Sequence, residues 1–207
     1  DADGARENVR LLLERHIEVA GVITDDGLRS EVETYLNAEF GSLARVVAAL
    51  SVLEEVSPRW LDAIAAVGEL ASSRIVAAAL ESRGVPAAWV DARKVMVTTA
   101  EHTAAPPLME ETGVTMTAAL IPLLSARRVP VMGGFVGATV DGVTTTLGRG
   151  GSDYSAAIVG ACIGASEIQI WTDVDGMLTA DPRLVPSAQV VPQLSFDEAS
   201  ELAYFGA

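Results

Sequence analysis

Thr144-Thr145-Thr146-Leu147-Gly148-Arg149-Gly150-Gly151-Ser152-Asp153 is the stretch that decides how the rest of the chain is read. Three β-branched residues open it and suit an extended strand. Gly150 and Gly151 make a turn, Ser152 is the expected N-cap, and the Ala-rich run 154–164 reads as a buried helix. A glycine turn feeding a helix N-terminus offers free N–H groups and the positive end of a helix dipole, which suits an anion. Arg149 adds a planar cation with bidentate reach for carboxylate or phosphate. Asp153, in the first helical turn, can face the same ligand. The plainer alternative is a glycine turn carrying a surface Arg149–Asp153 pair.

Composition narrows the class. A chain of 207 residues suits one sizeable α/β core. Half of the residues are hydrophobic, so the chain is expected to fold. Fourteen basic against 28 acidic residues leave a net charge of −14, which disfavours nucleic acid and anionic membranes as partners. An anionic substrate therefore needs a local cluster of Arg, Lys or backbone N–H groups. The single cysteine, Cys162, is expected to be an inert core residue. No signal peptide and no apolar run long enough to cross a bilayer stand out, and the expected location is cytoplasmic.

Outward from the central stretch, helical spacing dominates the first third. Val9, Leu12, Leu13, His16, Ile17 and Ala20 share one face, on which His16 is expected to pack. Val32, Leu36, Phe40, Leu43, Val47 and Leu50 mark a long second helix. Ser57-Pro58 starts a third, which Gly68-Glu69 is expected to interrupt before a fourth through Ile75 and Leu80. An acidic residue at a helix start can complement the dipole, and Glu69 is open to that reading and to a ligand-binding one. Strands are expected at 87–90, 95–98 and 129–132, and His102 is expected to be solvated in a surface loop at 101–107. A helix is expected over 115–126. Gly133-Gly134 after a strand suggests close backbone approach, and Asp141-Gly142 signals a hairpin. Alternation at 168–171 predicts a strand ending at Thr172-Asp173-Val174-Asp175-Gly176, and Ser195 caps a last helix. The alternation of strands and helices predicts an α/β fold, a mostly parallel sheet covered by helices on both faces. Ligands in such sheets lie beyond the strand C-termini, so the clusters at 133–134, 149–153 and 172–176 are expected to share one site.

Other chemistries lack their motifs. There is no G-x-x-x-x-G-K-[ST] loop, no G-x-G-x-x-G and no G-x-S-x-G elbow. Asp173-Val174-Asp175-Gly176 lacks the remaining calcium ligands, and two histidines with one cysteine make a zinc site improbable. What remains is glycine-presented N–H groups, Arg149 and Arg183 for anions, and the carboxylates of Asp153, Asp173 and Asp175. That set suits phosphoryl transfer, where catalysis is mostly positioning and charge neutralisation.

The central stretch, continued to Tyr154, resembles the signature of aspartate kinases within the amino-acid kinase superfamily. Further blocks in family order are Val67-Gly68-Glu69-Leu70, Asp91-Ala92-Arg93-Lys94-Val95-Met96 and Gly134-Phe135-Val136-Gly137. Trp171-Thr172-Asp173-Val174-Asp175-Gly176, Thr179-Ala180-Asp181-Pro182-Arg183 and Glu201-Leu202-Ala203-Tyr204-Phe205-Gly206-Ala207 complete the set. These flanking blocks disfavour kinases of the superfamily acting on glutamate, carbamate or uridylate.

The resemblance implies the carbamate kinase-like fold and MgATP-dependent phosphorylation of the side-chain carboxylate of L-aspartate to 4-phospho-L-aspartate, the entry step to lysine, threonine and methionine. It gives Glu69 the substrate ammonium and Arg149 its α-carboxylate, with Asp153 organising the centre. Gly150, Gly151 and Ser152 become donors near the transferring phosphoryl group. Thr172, Asp173, Asp175, Gly176, Leu178 and Arg183 fall on the nucleotide side, ATP and Mg²⁺ being the cofactors and no separate metal site being implied. Residues 1–128 would form a mainly helical, aspartate-binding side and 129–207 a nucleotide-binding side; a homodimer is the expected assembly. Three departures accompany the match: no Lys-Phe-Gly-Gly first-strand block, no Lys after Phe205-Gly206-Ala207, and Leu178 where the family has a nucleotide-contacting Tyr. They imply a partial catalytic domain without regulatory domains, inactive alone. The alternative they support is a non-catalytic amino-acid-binding or oligomerisation module of the same fold.

Overall fold

The computed structural model describes residues 2–53, 56–172 and 174–204. Asp1–Ile168 form one unit and Gln169–Ala207 a second.

The first unit begins with α1 (Ala2–Ala20), α2 (Asp26–Leu53) and α3 (Pro58–Glu81). Val9, Leu13 and Ile17 meet Val32, Leu36, Phe40 and Leu43 of α2 and Val67, Ala71 and Ile75 of α3 in one apolar core. The Asp25 carboxylate accepts the Leu28 N–H at 2.9 Å and caps α2. His16 packs as its spacing predicts, 4.9 Å from the Phe40 ring, with Nδ1 2.7 Å from the Leu12 carbonyl.

Two expectations fail here. Gly68-Glu69 does not interrupt a helix: α3 runs through it, because Ala66, Val67, Leu70 and Ala71 around it are all buried. That burial outweighs the roughly 1 kcal/mol that one mid-helix glycine costs. Also, α2 and α3 are long and apolar enough on composition to cross a membrane. Both use their apolar faces instead as core helices of this unit.

β1 (Ala87–Val90) pairs in parallel with β3 (Val129–Met132). β4 (Val136–Thr139) pairs in parallel with β2 (Val97–Thr98) and antiparallel with β5 (Thr144–Thr146). The predicted hairpin turn is present, with Gly142 at φ +78°. α3 packs on β1, β3 and β5; α4 (Met109–Ser125) packs on β2 and β3, and α5 (Gly151–Ile163) packs on α4. The α/β architecture expected from the sequence is the one observed.

β2 is shorter than the expected 95–98, because Asp91 caps a 3₁₀ turn at Ala92–Lys94 that carries the chain into Val95 outside the β region. α4 starts six residues before the expected 115, with Glu110 and Glu111 in its first turn where the dipole favours them. Thr112, on its buried face, donates to the Val97 carbonyl at 2.9 Å and accepts the Val97 N–H at 3.0 Å. Cys162 is half-buried, and burial pushes its thiol pKa up, in keeping with an inert residue.

No strand forms over 168–171 among the described residues, contrary to its alternating pattern. Such a segment is a strand only with a partner for its backbone groups, and Ile168 packs on Gly160 instead. In the second unit Leu178 bridges Val190. The last helix, α6 (Phe196–Tyr204), is capped as expected: the Ser195 Oγ accepts the Glu198 N–H at 3.3 Å and the Glu198 carboxylate accepts the Ser195 N–H at 2.8 Å.

Candidate functional site

β5 carries the central stretch into the site. Thr145 and Thr146 are buried polar residues, and each hydroxyl is partnered: Thr145 bonds Thr98 Oγ1 at 2.6 Å, and Thr146 donates to Asp62 at 2.5 Å. Gly148 and Gly150 then take left-handed conformations, φ +80° and +74°, and Gly150 is the N-cap of α5. Ser152 is therefore not the N-cap but the second helical residue; only glycine enters the left-handed region without penalty, so the turn closes at Gly150. The N–H groups of Ser152 and Asp153 belong to a first turn that has no carbonyl one turn back to satisfy them.

Gly134 is pressed against this helix start. A β-carbon on Gly134 would stand 2.9 Å from Ser152 Cα, and one on Gly133 would stand 2.9 Å from the Glu69 carbonyl oxygen. The next residue, Phe135, is held between both elements: its N–H donates to Ser155 Oγ at 2.9 Å, and its carbonyl accepts the Leu147 N–H at 2.8 Å. Glycine at 133 and 134 is thus what lets α3, the end of β3 and the start of α5 converge. A cleft of about 450 Å³ opens there, lined by Glu69, Gly134 and Ser152, with Met132, Val159 and Ile168 among its apolar walls. Glu69 lies mid-helix, so the dipole account of it falls. Burial raises its pKa above the usual carboxylate range.

Arg149 and Asp153 lie exposed at the mouth of the turn and do not line that cleft. They form no ion pair with each other among the described residues. Thr172, Asp175, Gly176, Leu178 and Arg183 belong to the second unit, and Asp173 lies outside the described residues. Gly176 has φ +139°, and Arg183 grips Asp181 at 2.7 Å, which lowers the Asp181 pKa.

The sequence reading missed Asp62. It is only 1 % exposed, and its carboxylate accepts the Thr103 N–H at 3.0 Å as well as the Thr146 hydroxyl. His102 is only partly exposed and not freely solvated: its Nδ1 is 2.7 Å from Asp62, and a carboxylate only accepts, so Nδ1 carries the proton. The sequence did hold a signal, since Asp62, Ala66 and Leu70 recur at helical spacing and a carboxylate on an apolar stripe needs partners.

The chain matches the amino acid kinase family over residues 4–207. It is 33% identical over 205 residues to an aspartokinase of Schizosaccharomyces pombe, covering 96% of this chain and 38% of that protein. It is 40% identical over 177 residues to the chloroplastic aspartokinase 2 of Arabidopsis thaliana, covering 84% of this chain and 32% of that one. The crystal structure of Escherichia coli aspartokinase III in complex with aspartate and ADP superposes with a TM-score of 0.77 at 36% identity, over 100% of this chain and 43% of that chain. The chain thus spans 38% and 32% of the lengths of these two curated relatives, well under half of either.

Proposed function

The chain belongs to the amino acid kinase family, and from that premise we propose that it is the catalytic part of an aspartate kinase. The observation that supports this most is the convergence of Glu69, Gly134 and Ser152 on one cleft; Arg149, three residues before Ser152 and outside the cleft's lining, has no charged partner among the described residues. Glu69 takes the substrate ammonium; a cation there favours the ionised carboxylate that burial disfavours. Arg149 takes the α-carboxylate in a bidentate pair.

The acceptor is the side-chain carboxylate of L-aspartate. Its oxygen forms a bond to the γ-phosphorus of ATP while the bond to the bridging oxygen breaks, leaving 4-phospho-L-aspartate and ADP. With an ordinary pKa of about 3.9 the acceptor is already ionised at neutral pH, so no base has to remove a proton. Neither histidine lines the cleft, which is compatible with that chemistry. The Gly151 N–H is taken by the Gly148 carbonyl at 3.0 Å and drops out of the expected donor set, so the N–H groups of Gly150 and Ser152 offset charge on the transferring group, and Asp153 orients the amino acid.

Thr172, Asp173, Asp175, Gly176, Leu178 and Arg183 take the nucleotide. Magnesium enters as MgATP: it is held mostly by phosphate oxygens and water, and needs only one or two carboxylates.

The test is aspartate-dependent ADP release by the full-length protein with MgATP, the acyl phosphate being trapped by hydroxylamine. Release of ADP with glutamate and not aspartate, or with neither, overturns the assignment.

A further inference from the structure

Asp62 is the buried charge that the chemistry above leaves unused. It lies on α3 seven residues before Glu69, two turns or about 10.5 Å along the same helix. Its carboxylate ties together three segments that are remote in sequence. Thr146 Oγ1 donates to Oδ1 at 2.5 Å from the end of β5, while the Thr103 N–H and His102 Nδ1–H donate from the loop that follows β2. That loop in turn holds the glycine turn. Ala105 N–H donates to the Thr146 carbonyl at 2.9 Å, and the Thr103 carbonyl and Ala104 pack so closely on Gly148 that a β-carbon there would be 3.1 and 3.3 Å away. Thr103 is held at φ +72°, a backbone conformation that a β-branched residue adopts only under constraint.

We propose that Asp62 is a positioning residue that fixes the distance between Glu69 and Arg149. Both charged groups hang from elements that Asp62 joins: Glu69 from α3 directly, Arg149 from the turn that the Asp62-bound loop clamps. This rests on the reading of Glu69 and Arg149 as the two ends of an amino-acid clamp. Such a clamp binds only at a set spacing, so its loss is felt in amino-acid binding before nucleotide binding. A carboxylate is needed at 62 because all three donors point at it; an amide would offer one oxygen and turn its NH₂ toward a donor.

The test uses Asp62→Asn, Thr146→Val and Thr146→Ser in the full-length protein. Kinetic constants for both substrates are measured alongside amide hydrogen exchange over residues 146–153. Asp62→Asn and Thr146→Val are expected to raise the KM for aspartate tenfold or more, with the KM for ATP within about twofold. Both are expected to speed exchange in that segment. Thr146→Ser keeps the hydroxyl and is expected to stay within twofold of wild type throughout. A merely structural role would lower Tm and leave the aspartate KM unchanged, or make the Val and Ser variants equivalent; either result overturns the proposal. If Asp62→Asn does not fold, Thr146→Val carries the comparison. If wild type does not phosphorylate aspartate, the functional reading fails by itself. The exchange measurement needs no substrate and still decides, unchanged exchange counting against Asp62.

Discussion

Gly134 and Ser152 touch backbone to backbone, a β-carbon on Gly134 falling 2.9 Å from Ser152 Cα. The contact joins the turn after β3 to the first turn of α5 and leaves no room for a methyl group. Gly134→Ala is therefore expected to destabilise the fold by about 1–3 kcal/mol, the usual range for overpacking a tight site. Gly68→Ala is the contrasting case: nothing lies within 4 Å of its β-position in α3, so a gain of about 0.5–1 kcal/mol is expected. Urea denaturation of both variants checks the pair, and equal effects would mean that the close approach is relieved without strain.

Arg149 is exposed and has no ion pair among the described residues, so its removal leaves packing untouched. In the full-length protein Arg149→Ala is expected to raise the KM for aspartate about 30- to 1,000-fold, the equivalent of roughly 2–4 kcal/mol for a charge-assisted bidentate contact. Tm should be unchanged. An aspartate KM like that of wild type would remove Arg149 from the site.

Glu69 gives stability a pH dependence of definite sign. Burial raises its folded pKa above the unfolded one, so its contribution is complete below the unfolded value and is lost as pH rises through the folded value. Glu69→Gln, which does not ionise, should therefore be more stable than wild type at pH 7, the difference vanishing below about pH 4. Thermal denaturation at both pH values checks this. A difference of the same size at both would show that ionisation is not its cause.

Leu36 is fully buried between α2 and its neighbours in the helical core. Leu36→Ala is expected to cost about 2–5 kcal/mol, read by urea denaturation. The fold of the cleft depends on α3 staying in place, so ligand binding should weaken in parallel at denaturant concentrations near the midpoint.

The helical stripes, the Asp141-Gly142 hairpin and the glycine turn were legible because each depends on residues within a few positions of one another. The predicted break at Gly68 and the predicted strand at 168–171 were not, because each turns on a distant partner. Core contacts carry α3 past its glycine, and 168–171 lacks a neighbouring strand among the described residues. Ser152 failed as a cap for a local reason, since Gly150 reaches the left-handed conformation more cheaply.

The sequence by itself determined the local character of one stretch: glycines, a guanidinium and a helix start close together suit an anion, wherever that stretch lies. Only the tertiary structure decided that Glu69 meets that stretch across Gly133 and Gly134, and that Asp62 and His102 brace it from within. Local order fixes what a turn can bind. Which buried carboxylate finds donors is set by packing between segments as far apart as 84 residues, and that is written in no single one of them.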